Sequence, residues 1–268
     1  EKPGLWVFTI NYDFAGGSEP GVVINQYTFK STLAHSFMQD YWFKHPLIEN
    51  PNDVAAISPT EFYITNHQTG PLARTPIGYI PDILGIYSGN MLYCNVETKQ
   101  CKVILDGLAF ANSVYLNHDH TQVYLTETFE RRFNVYNRDL LTNELYLNET
   151  ISLDGMPDNI NVDMYNNVWV AATMDGFATV KAINDPTKEF KAAPNIVYRL
   201  VPKKAGEKPS KWHHPTLTST NFWVEVVYAD NGSSITPLSV AAPTRLGQVI
   251  LGSLTANEIL LCDVPDAH

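Results

Sequence analysis

The segment Pro157-Asp158-Asn159-Ile160-Asn161-Val162-Asp163-Met164-Tyr165-Asn166-Asn167-Val168-Trp169-Val170-Ala171-Ala172 contains the pattern on which the fold assignment rests. It has a polar Asp-Asn start, a short alternating run, a polar turn and a second, apolar run. Alternation of apolar and polar residues over four to eight positions is typical of a β-strand. We therefore interpret the segment as two neighbouring strands, the first of which begins with a carboxylate and an amide side chain.

The same order of features recurs along the chain. It is present in residues 52–66 and 112–127, and residues 245–252 are a degenerate copy. Residues 5–11 have the character of the second half of such a unit. Repeated units of several short strands are the signature of a β-propeller.

Five units are visible, and the first is truncated. We predict an all-β, six-bladed β-propeller in which residues 1–268 form a single, N-terminally incomplete domain supplying about five blades. A complete five-bladed ring is the competing count. A β-sandwich explains less, because it gives no reason for an Asn at the same phase of each unit.

The composition excludes several other classes of protein. Aromatic residues make up 12% of the chain, and 15 Gly with 17 Pro add many turn formers, which argues against a helical bundle and against disorder. The net charge of −10 repels phosphate backbones, so we expect no nucleic-acid partner. No run approaches about 18 uninterrupted apolar residues, so we expect no membrane span.

Polar residues at the start of the repeated units predict a metal site. The innermost strand of each propeller blade lines the central channel, so side chains at its start converge on the axis. Calcium takes six to eight oxygen ligands, whereas zinc prefers His and Cys. The alternative is that these residues only begin strands or occupy turns. The candidate calcium ligands are Asn52, Asp53, Asn112, Asp158 and Asn159.

The cysteines and the N-glycosylation sequons indicate whether the protein is exported. Cys94 and Cys101 bracket a polar turn, and a hairpin would place them face to face, so a disulfide is expected in an oxidising compartment. Two free thiols in a cytosolic hairpin are the alternative. The sequons at Asn148 and Asn231 are candidate sites for N-glycans in a secreted or secretory-pathway protein. The chain does not begin with Met, so we expect a mature product, a fragment or a trimmed chain.

Several blocks of the sequence resemble the paraoxonase/arylesterase family. The similarity extends over most of residues 5–262, with gaps around residues 190–240. The family-like blocks are residues 51–66, 107–112, 123–127, 157–163 and 260–262.

The resemblance implies a six-bladed propeller with two calcium ions in its central tunnel, one catalytic and one structural. It implies that the catalytic ion activates the carbonyl group of lactones or aryl esters, a Lewis-acid role that stabilises an oxyanion. Asp53 would bind the structural ion. The ligands implied for the catalytic ion are Asn52, Asn112, Asp158 and Asn159.

The chain also departs from the family pattern. Tyr12 stands where the second histidine of the proposed catalytic dyad is expected, and Thr173-Met174 replaces a pocket histidine. Tyr12 can act as a base near neutral pH only if its pKa is strongly lowered. His67 corresponds to another pocket histidine with an offset of one residue, and it is a candidate base or a polar residue of the tunnel mouth.

Cys262 has no predicted partner in the sequence. In the family, a cysteine near the C-terminus pairs with one near the N-terminus, and the N-terminal part supplies acidic calcium ligands and a histidine. We therefore predict a separate N-terminal chain, linked through Cys262, with an incomplete chain as the alternative.

Three functions remain open from the sequence. The first is a calcium-dependent hydrolase that acts on lactones or aryl esters and takes a small hydrophobic substrate. The second is a non-hydrolytic, ring-forming enzyme resembling the strictosidine-synthase-like propellers, which the residues at positions 12 and 174 favour. The third is a binding protein in which calcium only stabilises the blades.

Overall fold

The computed structural model describes residues 4–11, 21–28, 37–73, 75, 77–78, 80–185, 187 and 193–264. Within these residues the chain forms eighteen strands and two short helices, arranged in successive antiparallel sheets of three or four strands. The predicted all-β, β-propeller class is confirmed. The described residues form five such sheets, so the count of six blades stays a prediction.

The chain divides into two compact units, residues 1–114 and residues 115–268. The first unit contains two complete sheets, in which neighbouring strands follow one another along the chain. The strands of the first sheet are β1 (Gly4–Asn11), β2 (Gly21–Thr28) and β3 (Phe37–Phe43). Those of the second are β4 (Pro51–Ala56), β5 (Glu61–Asn66), β6 (Gly89–Asn95) and β7 (Gln100–Leu108).

Strand β8 (Ala111–Leu116) begins in the first unit and ends in the second. Its sheet continues with β9 (Gln122–Glu127), β10 (Arg132–Arg138) and β11 (Leu145–Ser152). The next sheet contains β12 (Met156–Val162), β13 (Val168–Thr173), β14 (Asn195–Pro202) and β15 (Phe222–Asp230). The last contains β16 (Leu238–Pro243), β17 (Gln248–Ser253) and β18 (Leu260–Asp263).

The middle strands β5, β9, β13 and β14 are buried on both faces, which explains their nearly continuous apolar sequences. All six residues of β13 are buried, and Trp169 is 1% exposed. The outer strand β11 is mostly exposed and carries polar residues between its apolar ones. Between the sheets β8–β11 and β12–β15, buried side chains such as Phe133, Val170 and Phe222 form one apolar cluster.

Three first strands contain a β-bulge near their start. In β4, Pro51 pairs with Asn66 and Val54 pairs with Ile64, so two residues of β4 lie opposite Thr65 alone. In β12, Pro157 pairs with Ala172 and Ile160 with Val170. In β16 the register shifts between Leu238 and Val240. A bulge redirects the side chains of the extra residues, and here those residues are Asn52 with Asp53, Asp158 with Asn159, and Ser239.

The predicted disulfide is confirmed. Cys94 in β6 and Cys101 in β7 are direct cross-strand partners, with their Cα atoms 4.1 Å apart. Cys94 is fully buried. Cys262 in β18 is a free cysteine within the described part of the chain.

The two helices are α1 (Ile80–Ile83) and α2 (Gly176–Asn184). The carboxylate of Asp175 caps α2 by accepting a hydrogen bond from the amide of Ala178 at 3.0 Å. Neither helix, nor any other in the described segments, has the length and apolar character needed to cross a bilayer.

Candidate functional site

In the first unit, the bulge of β4 places Asp53 against the start of β8. Its carboxylate accepts hydrogen bonds from the hydroxyl of Ser113, from the amide of Val114 at 3.1 Å and from the amide of Val54 at 2.8 Å. The carboxylate therefore joins two strands that are sixty residues apart in sequence. This is a structural role that Asp53 plays in addition to the predicted role as a ligand.

Burial of the Asp53 carboxyl group raises its pKa, and the hydrogen bonds from Ser113, Val54 and Val114 act in the opposite direction. Desolvation disfavours the charged form of a carboxyl group unless a positive charge is close. A cation next to Asp53 would provide that compensation, and the oxygen donors of the site fit a hard cation.

Thr65 connects Asp53 to Asn112, the next candidate ligand. The Thr65 hydroxyl donates to the backbone carbonyl of Asn112 at 2.6 Å and accepts from the amide of Asp53 at 3.0 Å. Thr65 is fully buried, and Asn112 is 5% exposed. The structure thus brings the backbones of Asp53 in β4 and Asn112 in β8 together around a single buried hydroxyl group.

His67 lies beside this group of residues. Its Nε2 atom is 2.8 Å from the amide nitrogen of Asn50, which also donates to the carbonyl of Ala73 at 3.1 Å. Because an amide nitrogen can only donate, Nε2 is the acceptor, and the neutral ring carries its proton on Nδ1. The ring packs on Phe110, with centroids 4.6 Å apart, two residues before Asn112. Asn50 must release Nε2 before that atom can accept a proton.

In the second unit, Asp158 and Asn159 are the two bulge residues of β12, as Asn52 and Asp53 are those of β4 in the first unit. The hydroxyl of Thr126 donates to the backbone carbonyl of Asp158 at 2.9 Å, as Thr65 does to Asn112. Thr128 donates to the carbonyl of Pro157 at 2.8 Å. Two hydroxyl groups at the end of β9, in the preceding sheet, therefore fix the backbone of this bulge.

Ser239 determines the orientation of the Asn159 side chain. The amide nitrogen of Asn159 donates to the carbonyl oxygen and to the hydroxyl of Ser239, both at 3.0 Å. A carbonyl can only accept, so the assignment of nitrogen and oxygen in this amide follows from the contact. The oxygen Oδ1 of Asn159 is consequently directed away from the Ser239 carbonyl, and an amide oxygen has the chemistry of a calcium ligand.

Sequence reasoning did not identify Ser239, Thr65 or Thr126 as functional residues. A signal for the two threonines was present, because each lies next to last in the second strand of its repeat. Ser239 had a weaker signal, since it occupies the bulge of β16 where the earlier repeats have Asn or Asp. Recognising it requires the register of β16, which periodicity alone does not give.

A second buried polar pair follows His67 in the first unit. Gln68 is 1% exposed and Asp82 is 3% exposed, and the amide nitrogen of Gln68 donates to Oδ2 of Asp82. Oε1 of Gln68 and Oδ1 of Asp82 have no hydrogen-bond partner among the described residues. Burial raises the pKa of Asp82, which favours its neutral, proton-donating form.

The candidate ligands supply amide and carboxylate oxygens, the donor chemistry that calcium prefers over that of zinc. Clusters of three or more His, Cys, Asp or Glu side chains are absent from the described ranges, in keeping with a set composed mainly of amides. Asn52, Asp53 and Asn112 lie in the first unit, and Asp158 and Asn159 in the second. Tyr12, the other candidate catalytic residue, lies outside the described residues.

Comparison with known proteins finds relatives among the paraoxonases and among the strictosidine-synthase-like proteins. Serum paraoxonase/arylesterase 1 of Mus musculus is 28% identical over 225 residues, which cover 82% of this chain and 55% of that protein. The chain thus spans about half the length of the curated relative. Protein STRICTOSIDINE SYNTHASE-LIKE 7 of Arabidopsis thaliana is 34% identical over 83 residues, or 31% of this chain and 22% of that protein.

Among solved structures, a protein from Lactobacillus plantarum shares the fold with a TM-score of 0.51 and 12% identity, covering 93% of this chain and 60% of that one. The sequence pattern of the family described as Arylesterase matches residues 23–264. That range contains the three first strands with bulges, β4, β12 and β16, and every candidate metal ligand. The chain therefore belongs to the arylesterase family.

Proposed function

We propose that this chain forms the main part of a calcium-dependent hydrolase that acts on lactones or aryl esters. The observation that carries the proposal is the pair of matched bulges, in which Asn52-Asp53 and Asp158-Asn159 follow a proline at the start of a first strand. Membership of the arylesterase family supports it. Two calcium ions, a propeller of six blades and a single domain over residues 1–268 belong to the same proposal.

The residues of this chain would hold the ions through side-chain oxygens. Asn52, Asp53 and Asn112 of the first unit, and Asp158 and Asn159 of the second, would supply these oxygens, with Asp53 assigned to the structural ion. When bound, calcium supplies positive charge that polarises an ester carbonyl. Thr65, Thr126 and Ser239 keep the ligand-bearing backbone and the Asn159 amide in place, so little reorganisation is needed when a cation binds.

The proton transfer is assigned to His67, a candidate base in this proposal. Its neutral ring can accept a proton on Nε2 only after Asn50 turns away. A charged ring donates from each nitrogen, so proton uptake would turn Nε2 from an acceptor into a donor. Phe110 covers one face of the ring and limits its movement.

The test is calcium binding and lactone turnover measured on the same preparation. Protein stripped with EDTA should bind calcium by isothermal titration calorimetry and regain hydrolysis of a δ-lactone and of phenyl acetate. Asp158→Ala should lose turnover and one of the two calcium-binding events, because Asp53 would still hold the structural ion. Asn161→Ala is the matched control, because Asn161 lies in the same strand beyond the bulge and its side-chain amide donates to the carbonyl of Ala241 at 3.1 Å. Turnover that persists in EDTA would contradict the proposal.

A ring-forming, non-hydrolytic enzyme is the second candidate. It is favoured by the similarity to the strictosidine-synthase-like protein and by Met174 in place of a pocket histidine. Calcium binding without ester hydrolysis would point to this candidate or to a calcium-stabilised binding protein. Formation of a cyclised product from a candidate precursor would then distinguish the two.

We also propose export and a covalent link to an N-terminal segment. The serum location in the name of the relative supports secretion of this chain. Cys262 lies in β18, the outermost strand of its sheet, and is partly accessible. Burial raises the pKa of its thiol, which favours the protonated form over a reactive thiolate. Intact mass with and without reductant tests the link, and a free Cys262 thiol in the native protein would exclude it.

A further inference from the structure

The hairpin of β10 and β11 exposes apolar side chains on the second unit. Leu140 and Leu141 in the turn are 58% and 94% exposed, and Tyr146 and Leu147 at the start of β11 are each 60% exposed. Single exposed apolar residues are common, but here four lie within the eight residues 140–147 of one hairpin. We refer to these four residues as the hairpin patch.

Strand β11 is the outermost strand of its sheet among the described residues. An outer strand presents unpaired backbone groups and can add to another sheet, which is an aggregation hazard. One half of β11 is protected, because the carboxylate of Glu149 accepts from the amide of Thr220 and from the side chain of Asn221 at 2.9 Å. The half that includes the hairpin patch has no such contact in the structure described here.

Asn148 lies at the boundary between these two halves. Val135 pairs with Glu149 and Tyr136 pairs with Leu147, so Asn148 is the extra residue of a bulge and has no cross-strand partner in the register. Its side chain is exposed. A large substituent on Asn148 would therefore disturb neither the ladder nor the apolar cluster behind the sheet.

Asn148, Glu149 and Thr150 form an N-glycosylation sequon. We propose that Asn148 carries an N-glycan whose role is to cover the hairpin patch and the free half of β11. In the transfer, a bond forms between Nδ2 of Asn148 and the anomeric carbon of a lipid-diphosphate-linked oligosaccharide. The bond from that carbon to the diphosphate breaks, the lipid diphosphate leaves and the amide loses one proton.

The glycan is suited to this place by its chemistry and by its size. A hydrated oligosaccharide is bulky and polar, so it hinders the approach of a second sheet edge without contributing an edge of its own. The proposal rests on passage through the secretory pathway, and it is independent of calcium binding and of hydrolysis.

Occupancy is tested by secreting the chain from a eukaryotic host and comparing intact mass before and after peptide N-glycosidase F. Asn231→Gln leaves Asn148 in the remaining sequon and should still lose one glycan mass on treatment. Asn148→Gln should lose the mass shift at the peptide that contains position 148. An unmodified Asn148 in the secreted Asn231→Gln protein would overturn the proposal, whatever the lactone turnover of that protein.

The shielding role is tested by light scattering coupled to size-exclusion chromatography. Asn148→Gln should self-associate at concentrations at which the wild type and Asn231→Gln stay monodisperse. Adding Leu141→Glu and Leu147→Thr to Asn148→Gln should restore monodispersity, which shows that the fold is retained and that the patch causes association. Equal dispersity of all variants would overturn the role of the glycan as a shield.

Discussion

Ser239 orients the amide of Asn159 from a position eighty residues later in the chain. We predict that Ser239→Ala weakens calcium binding about 2- to 10-fold, because one hydrogen bond contributes about 0.5–1.5 kcal/mol and the carbonyl contact remains. Ser239→Thr keeps the hydroxyl and should bind calcium as the wild type does. Titration calorimetry measures both variants. Unchanged affinity in Ser239→Ala would show that the hydroxyl does not position the amide.

Asp82 gives a pH dependence of stability whose sign follows from its raised pKa. Between its ordinary pKa of 3.8 and the higher value in the folded protein, the folded state binds more protons than the unfolded state. Asp82 therefore makes the free energy of unfolding fall as pH rises through this window. Asp82→Asn can accept from Gln68 and donate to its Oε1, so we predict a variant that gains stability relative to wild type as pH rises.

The control for this experiment is Asp139→Asn, which should show the opposite sign. Hydrogen bonds from the amides of Thr142 and Leu141 lower the pKa of Asp139, so its charge adds stability that is lost as pH falls. Urea unfolding at several pH values measures both. A constant difference between Asp82→Asn and wild type at every pH would contradict the assignment.

At the scale of the elements, a buried ion pair joins β14 and β15. Nε of Arg199 is 2.6 Å from Oε2 of Glu225, and the two residues are 4% and 2% exposed. Ser210 donates to the other oxygen of Glu225, and the Arg199 guanidinium lies 5.5 Å from the ring centroid of Trp169. The pair thus fixes the loop between β14 and β15 to the sheet.

We predict that Arg199→Met lowers the free energy of unfolding by about 3–5 kcal/mol, because it leaves a buried carboxylate without its partner. The double variant Arg199→Met/Glu225→Leu removes both charges and should lose less than Arg199→Met alone. Urea unfolding monitored by circular dichroism compares the three proteins. A double variant less stable than Arg199→Met would show that the unpaired Glu225 carboxylate is not the cause of the loss.

The strands illustrate what the repeats in the sequence could predict. Alternation and polar turns located β4, β5, β12 and β13, because period-two patterning is a local property of the chain. The Cys94–Cys101 disulfide was predictable because a short turn fixes the register of its hairpin. The bulges were not predictable, since an extra residue changes the register without changing the overall alternation.

At the scale of the whole molecule, bound calcium should stabilise the fold by mass action. The net charge of −10 favours cation binding. At a free calcium concentration of about 100 times Kd, binding adds about 2.7 kcal/mol, which corresponds to a rise in Tm of about 5–10 °C for a chain of this size. Differential scanning fluorimetry with calcium, magnesium and EDTA measures the effect. Identical Tm values in calcium and EDTA would argue against a calcium site.

The sequence by itself determined the all-β class, the repeated units, the disulfide and the residue types of the candidate calcium site. Those features follow from periodicity and from neighbours within about ten residues. The tertiary structure decided which side chains the bulges redirect, that Thr65 and Thr126 hold the backbones of Asn112 and Asp158, and that Ser239 turns the amide of Asn159. The physical reason is that these hydrogen bonds join residues 32 to 80 positions apart, where only the packing of one sheet on the next brings donor and acceptor together.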